Sequence, residues 1–485
     1  MKAFSFISAL VAAFFVILES CPASPSPIAY RLIEGSYFLD DCLICGRPSI
    51  FRPIRGTFDM LEVSRDTNAI HYTVTNINFA ATVDPTFRIR GDGAYEVGYG
   101  TNAIQNMIAT LNVNGESKLF TNNNPAVERL APMLDVQLVQ TQQNLVVFYS
   151  LNIVAAPLRD LWFSSRTNVA TTNGSSGLSP GDLLSFSGRV VIPDAELIAR
   201  LGLMPMSASG GIDALFPTGG GDVAFSFQRD EFSETRGTLR HGDVVSNRGS
   251  ILFTNLALLA NFEPQPVLPD YGLDALFIST NGAVLFSTTT NFVSPRIGEL
   301  SSGDVLSYSL VNGAPTNQLV RTSQQLLSRF RPVETATDYG LDALYMWPSG
   351  EIWFSTELGF DDQGLGPISD GDVLSDQGYR VYRNAELVGG FGAAEKNEGY
   401  GLDSLFIVTD VTAPPAGRPL LRIAINPNGD AALDWTATGQ AFQVEKAAIV
   451  TGPYLPLSAL LAGTSFVDSN AVQTATSSFY RVRQW

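Results

Sequence analysis

Histidine is nearly missing from this sequence: 485 residues contain two, His71 and His241. Cysteine is scarce as well, with Cys21, Cys42 and Cys45 as the whole complement. A structural zinc site would take four of these five residues, and a Ser-His-Asp site could draw on only these two imidazoles, so most familiar metal and nucleophile chemistries lack parts. No G-x-S-x-G turn, H-E-x-x-H helix, P-loop or EF-hand spacing occurs. Lysine is limited to four residues (Lys2, Lys118, Lys396, Lys446), the net charge is −17, and no basic run exists. That removes the electrostatic basis of nucleic-acid binding. Long apolar runs are limited to one, Phe4–Leu18, which spans fifteen residues. A bilayer needs about 20, so no transmembrane segment is expected.

What is present is core material and turns. Apolar residues make up 45%, with 43 glycines and 27 prolines, a composition that suits a folded, turn-rich chain. At about 150 residues per domain the length suggests about three domains. At the N-terminus, Lys2 precedes the apolar run, and Cys21-Pro22-Ala23 offers small residues for cleavage. Residues 1–23 therefore read as a secretory signal peptide, and the mature chain is expected to be secreted, periplasmic or at the cell surface. Leu18-Glu19-Ser20-Cys21 is similar to a bacterial lipobox, apart from Glu19, so lipidation of Cys21 is the alternative. Cleavage after Ala23 leaves Cys42 and Cys45, for which a short local disulfide is expected in an oxidising compartment. Half a zinc site and a thioredoxin-like redox pair are the other readings, the latter without its βαβ context.

Repeats organise residues 158–411. Four segments share one signature: Gly211-Ile212-Asp213-Ala214-Leu215-Phe216, Gly272-Leu273-Asp274-Ala275-Leu276-Phe277, Gly340-Leu341-Asp342-Ala343-Leu344-Tyr345 and Gly401-Leu402-Asp403-Ser404-Leu405-Phe406. Phe225, Phe286 and Phe354 follow the first three aspartates by twelve residues, and the Gly-Asp aspartates Asp243, Asp304 and Asp372 follow by eighteen more. The signature aspartates are spaced by 61, 68 and 61, which places a seven-residue insertion near Tyr308 to Asn317. A partial copy, Leu161-Trp162-Phe163-Ser164 with Asp182, lacks the first element, whereas the last copy has only that element. Together they make one unit, as in a ring closed by both chain ends; a linear stack is the alternative.

Each unit reads as about four short strands. Asn281-Gly282 between two apolar runs predicts a tight hairpin with both central residues at positive φ. Asp194-Ala195-Glu196-Leu197 and Asn384-Ala385-Glu386-Leu387 read as capped single helical turns. Residues 30–157 lack the signature and read as an antiparallel barrel or sandwich, with a turn expected at Gly91-Asp92-Gly93. A Pro-rich linker, residues 412–419, precedes the remainder. The expectation is thus an all-β chain: a β-barrel or sandwich, a four-unit propeller-like array and a C-terminal sandwich.

Residues 420–485 place Trp435 on an early strand, Gln443-Val444-Glu445 on a later one, and Phe479-Tyr480-Arg481-Val482 at the end. That order is similar to a fibronectin type III module, which implies a spacer or adhesive sandwich without catalysis. The G-L-D-A-L…G-D-V-L-S repeats with such a tail resemble a group of uncharacterised secreted bacterial proteins. The resemblance implies export and β-architecture and brings no activity with it. The D-A-L-F half of each unit is also similar, over a short stretch, to hemopexin repeats, which by analogy implies four blades around a cation.

Candidate chemistry centres on Asp213, Asp274, Asp342 and Asp403. On the first strands of a closed ring they could share a hard cation such as Ca²⁺, which takes about six to eight oxygens. Alternatively each accepts backbone hydrogen bonds at its strand entry. The Gly-Asp set, Asp182, Asp243, Asp304 and Asp372, reads as turn chemistry. Phe225, Phe286, Phe354, Trp162 and Trp353 read as packing between units, with an exposed aromatic platform for sugars as the alternative. A paired-carboxylate glycosidase has no singled-out pair, because the conspicuous acids recur from unit to unit. The expected function is a non-enzymatic surface or extracellular interaction protein, in adhesion or in binding extracellular polysaccharide or protein. A calcium-dependent scaffold and an extracellular glycan-active enzyme are the alternatives.

Overall fold

The computed structural model describes residues 27–485 apart from 43, 45, 85, 99–103, 123–131, 142–147, 171–176, 205–210, 336, 394–398, 409–416, 470 and 475–476. The expected signal peptide, Cys21, Cys45 and most of the linker lie outside the described residues. The fold is all-β, with α-helix confined to turns of four to six residues. Among the described residues no helix is long and apolar enough to cross a membrane.

The N-terminal strands are β1 (Ile28–Leu32), β2 (Tyr37–Asp41), β3 (Ile50–Arg65), β4 (Ala69–Ala81), β5 (Arg88–Gly98), β6 (Gln105–Val113), β7 (Glu116–Asn122), β8 (Leu134–Gln140) and β9 (Phe148–Pro157). They form one antiparallel sheet that returns on itself, because β3 pairs with β1, β2 and β4 while β9 pairs with β1, β2 and β8. Alternation decides the faces. Along β6, Met107, Ala109, Leu111 and Val113 are buried, whereas Asn106, Ile108, Thr110 and Asn112 are exposed. The inward set joins Phe38, Phe58, Phe79 and Phe120 in a filled core.

Gly91-Asp92-Gly93 is not a turn, contrary to expectation: β5 runs straight through it. A Cβ at Gly91 would stand 2.1 Å from the Thr110 carbonyl oxygen, and one at Gly93 would stand 2.5 Å from that of Ile108. These glycines permit close approach of two strands rather than reversal of one.

Residues 160–408 form four four-stranded sheets. Three are each built from a single stretch of chain: Ile212–Gly219 to Ile251–Phe253, Leu276–Ile278 to Ala314–Arg321, and Ala343–Met346 to Tyr379–Tyr382. The fourth joins the chain's distant parts. Asp160–Ser164 pairs antiparallel with Ser404–Val408, from Asp160 opposite Val408 to Ser164 opposite Ser404. The innermost strands then follow one another in a closed cycle. The extra seven residues lengthen Val305–Val311 and Ala314–Arg321 around Asn312-Gly313. In three units a two-stranded ribbon, such as Phe360–Asp362 with Gly366–Ile368, stands between the second and third strands. These ribbons were not expected from the sequence.

The Asn281-Gly282 turn also differs from expectation. Gly282 has positive φ but Asn281 does not, and the Ser279 carbonyl accepts the Gly282 amide at 2.9 Å in a longer turn. Asn114-Gly115 and Asn312-Gly313 are the tight pairs in which both residues take positive φ.

Two polar devices recur through the ring. In each sheet one oxygen of the Gly-Asp aspartate accepts the amide three residues back. The other accepts the first amide of the following helical turn, at Asp194, Asn255, Ser323 or Asn384. The preceding turn thus supplies one cap to every helical turn, and in two of them the N-cap threonine adds another: Thr254 accepts the Ala257 amide at 3.3 Å and Thr322 the Gln325 amide at 3.1 Å. Asp304→Ala strands two amides, at 3.0 Å from Ser301 and 2.9 Å from Ser323. It is expected to cost about 2 kcal/mol in urea unfolding. The second device is a serine: Ser226, Ser287 and Ser355 donate to the carbonyls of Leu273, Leu341 and Leu402 in the next unit, at 3.3, 3.1 and 3.0 Å. Phe225, Phe286, Phe354, Trp162 and Trp353 are buried in the core around these contacts.

The last residues form two three-stranded sheets. Leu420–Ile425, Ala431–Thr436 and Ser465–Asp468 make one, and Leu455–Pro456, Phe442–Ala447 and Phe479–Gln484 make the other. Leu433, Trp435, Phe442 and Val444 fill the space between them.

Candidate functional site

Each innermost strand of the ring begins at or within two residues of a signature aspartate and carries an aromatic residue three positions after that aspartate. Closure therefore gathers four carboxylates toward one end of the axis and four aromatic rings toward the other. The two ends are chemically opposite.

At the acidic end, Asp213, Asp274, Asp342 and Asp403 are all buried. Loss of hydration pushes every one of these carboxyls above its ordinary value, and repulsion from the others adds to the effect for Asp213, Asp274 and Asp403. Asp342 is pushed up to about 7 by burial against the opposing pull of Arg166. Arg166 stands among them: its Nη1 lies 3.7 Å from Asp342 Oδ2, it donates twice to the Glu357 carbonyl at 3.0 Å, and it pairs with Asp370. Asp403 Oδ2 accepts from Gln228 Nε2 at 3.3 Å, and Asp342 Oδ2 accepts from the Leu402 amide at 3.4 Å. Asp274 Oδ2 and Asp403 Oδ1 are buried without a hydrogen-bond partner.

The structure thus brings together the four residues singled out for a shared cation and places a guanidinium beside them. Among the described residues, no group of three or more His, Cys, Asp or Glu is gathered so as to hold a metal ion. Of the cysteine pair, Cys42 is buried and disulfide-bonded. Its expected partner Cys45 lies outside the described residues. The histidines stand apart from the axis: His71 lies between Asp66 and Glu96, and His241 beside Asp230 and Asp270.

At the other end, Phe216, Phe277, Tyr345 and Phe406 form a cycle of edge contacts. Ring centroids are 5.1 Å apart for Phe216–Phe277, 5.4 Å for Phe277–Tyr345, 6.2 Å for Tyr345–Phe406 and 5.3 Å for Phe406–Phe216. These four also line a cavity of about 270 Å³, with Trp347 and Trp485 among its walls. Trp347 packs on Tyr345 and Trp353 at 5.4 and 4.9 Å, and its indole nitrogen is buried without a partner. The C-terminal sheets supply one side of the cavity through Gln440, Ala441 and Trp485. They are held there by Gln440 Nε2 donating to the Pro217 carbonyl at 2.8 Å and by the Gly220 amide donating to Gly439 at 2.8 Å.

Sequence reasoning passed over these four aromatics while weighing Phe225, Phe286 and Phe354. The signal was present as the last letter of each D-A-L-F or D-A-L-Y signature. It acquires meaning only when the four strands share an axis.

No family model matches the chain, and no curated protein matches it. Among solved structures it is similar to the extracellular domain of a putative hybrid two component system from B. thetaiotaomicron. The identity is 7%, the TM-score 0.19, and the match covers 86% of this chain and 71% of that one. The extracellular domain of a putative one component system from the same organism matches at 9% identity and TM-score 0.19, over 91% of this chain and 81% of that one. Likeness at that level carries no argument about fold or function.

Proposed function

We propose that this chain is an exported, non-enzymatic interaction protein. In this reading the ring is a four-bladed propeller, the N-terminal sheet a barrel and the C-terminal sheets a fibronectin type III-like module. The ligand presents an apolar face, a sugar ring or an apolar side chain of a protein, to the axial cavity. The carrying observation is the cavity walled by Phe216, Phe277, Tyr345, Trp347, Phe406 and Trp485. Aromatic walls with few converging polar groups suit binding by contact area rather than bond-making chemistry. The apolar run at Phe4–Leu18 and the disulfide-bonded state of Cys42 support export to an oxidising compartment.

Calorimetric titration with 4-nitrophenyl glucoside, which offers both a sugar and an aromatic ring, tests the proposal. Saturable binding, weakened about tenfold or more in Trp485→Ala and without release of nitrophenolate, is expected. Release of nitrophenolate would make the protein a glycan-active enzyme, and absence of binding would sink the axial site. A calcium-dependent scaffold is the second reading, favoured by the partnerless oxygens of Asp274 and Asp403. It requires a higher melting temperature in excess Ca²⁺ than in EDTA. Equal melting would leave Arg166 as the cation of the axis.

A further inference from the structure

A second cavity, of about 700 Å³, lies between the closed N-terminal sheet and the ring. In a chain of net charge −17, four arginines converge on it: Arg31 and Arg55 from β1 and β3, and Arg380 and Arg383 from the ring's last complete unit. Two carboxylates, Glu34 and Glu386, face them.

Following each group shows what is left over. Arg380 is satisfied, with Nε and Nη2 on Glu34 Oε2 at 2.9 and 2.7 Å and Nη1 on Asp372 Oδ2 at 3.2 Å. Arg383 Nη2 holds the other oxygen of Glu34 at 2.7 Å. Arg31 Nη2 donates to Glu386 at 3.0 Å and to the Val381 carbonyl at 2.7 Å, while its guanidinium lies over the Tyr382 ring at 4.1 Å. Both oxygens of Glu34, and Oε2 of Glu386, are therefore engaged. Arg55 is exposed and its side chain makes no hydrogen bond or ion pair among the described residues, reaching Glu386 only through space. Arg31 Nε is also without a partner.

The cavity thus holds surplus guanidinium donors around a space far larger than a bare ion needs. Leu32, Ile54 and Ala81 give it apolar wall, and Thr57 and Thr82 add hydroxyls, that of Thr82 already donating to the Pro53 carbonyl at 3.3 Å. An anion that also carries hydroxyls and a C–H face matches this lining, whereas a purely apolar acid would leave the hydroxyls unused. We propose that this cleft binds an acidic saccharide unit, its carboxylate or sulfate held by Arg55 with help from Arg31 and Arg383. The site is independent of the axial cavity.

The test is calorimetric titration of the mature chain with digalacturonate, neocarrabiose 4-sulfate (which carries sulfate and no carboxylate) and neutral cellobiose, at low salt and at about 0.15 M. One of the two acidic disaccharides should bind, more weakly at the higher salt, and which one binds separates carboxylate from sulfate. Arg55→Glu should weaken that binding about tenfold or more with the melting temperature unchanged, because Arg55 holds nothing else in place. Trp485→Ala should leave it intact, which separates this site from the axial one. Failure of both acidic disaccharides to bind, equal binding of cellobiose, or an Arg55→Glu protein that binds like the parent would overturn the proposal.

Discussion

Arg166→Gln is expected to cost about 3 kcal/mol of folding stability at pH 8 and much less at pH 5. Arg166 is the guanidinium that opposes the raised values of Asp213, Asp274, Asp342 and Asp403. Because these carboxyls hold protons more tightly in the folded chain than in the unfolded one, their contribution to stability is greatest at low pH. It declines as pH rises from the ordinary carboxylate value of 3.8 through about 7, where Asp342 ionises. Removing the cation steepens that decline, since ionised carboxylates then face one another uncompensated. Urea unfolding at pH 5 and pH 8 measures the difference. Equal losses at both values would mean that Arg166 acts through its bonds to the Glu357 carbonyl and Asp370 rather than by balancing the axis. Asp274→Asn should move the other way and raise stability at pH 8, because it removes a buried carboxyl whose ionisation burial and the neighbouring carboxyls oppose and whose Oδ2 has no partner.

The other large effect is expected at the seam of the ring. Phe406→Ala should cost about 3–5 kcal/mol, the usual range for emptying a buried phenylalanine site. Phe406 touches Trp162 at 5.6 Å, Phe216 at 5.3 Å and Tyr345 at 6.2 Å, so the void opens against three neighbours. Phe277 occupies the matching position across the ring, two units away, but its strand continues into its own sheet. The Ser404–Val408 strand is instead joined to a partner more than two hundred residues earlier, and it can peel away without breaking a local hairpin. Amide exchange over Ser404–Val408 in Phe406→Ala should therefore accelerate more than exchange over Leu276–Ile278 in Phe277→Ala. Matching rates would show that the seam is no weaker than the other units.

Much of the fold was legible because much of it is local. The all-β class followed from short apolar runs separated by turn residues. The Gly-Asp aspartates show how far such reading goes: Asp372 caps Ser369 and Asn384, both within twelve residues, so its task was readable from spacing as turn chemistry. Local reading failed where a residue's role depended on a neighbour far along the chain. Gly91 and Gly93 looked like a turn, but their small size serves the close passage of β6. Asn281-Gly282 looked like a tight hairpin, but its turn is longer, and Asn281 keeps negative φ.

The candidate sites divide in the same way. Asp213, Asp274, Asp342 and Asp403 could be named from their repetition. The identity of the cation beside them could not, because Arg166 belongs to a different stretch of chain and carries no repeated pattern. The aromatic cycle was spelled out letter by letter in four signatures, yet four rings 61 to 68 residues apart become a cavity wall only when their strands share an axis. The arginine cleft is further removed, since Arg31 and Arg383 lie more than 350 residues apart in the chain. By itself the sequence determined the all-β class and the recurring Gly-Asp turns, because those are set by hydrogen bonds and φ preferences within about twenty residues. Tertiary structure alone decided which charges are buried together and which rings enclose a space. Both depend on water being excluded by surfaces that meet only when Ser404–Val408 closes against Asp160–Ser164 and the outer sheets pack onto the ring.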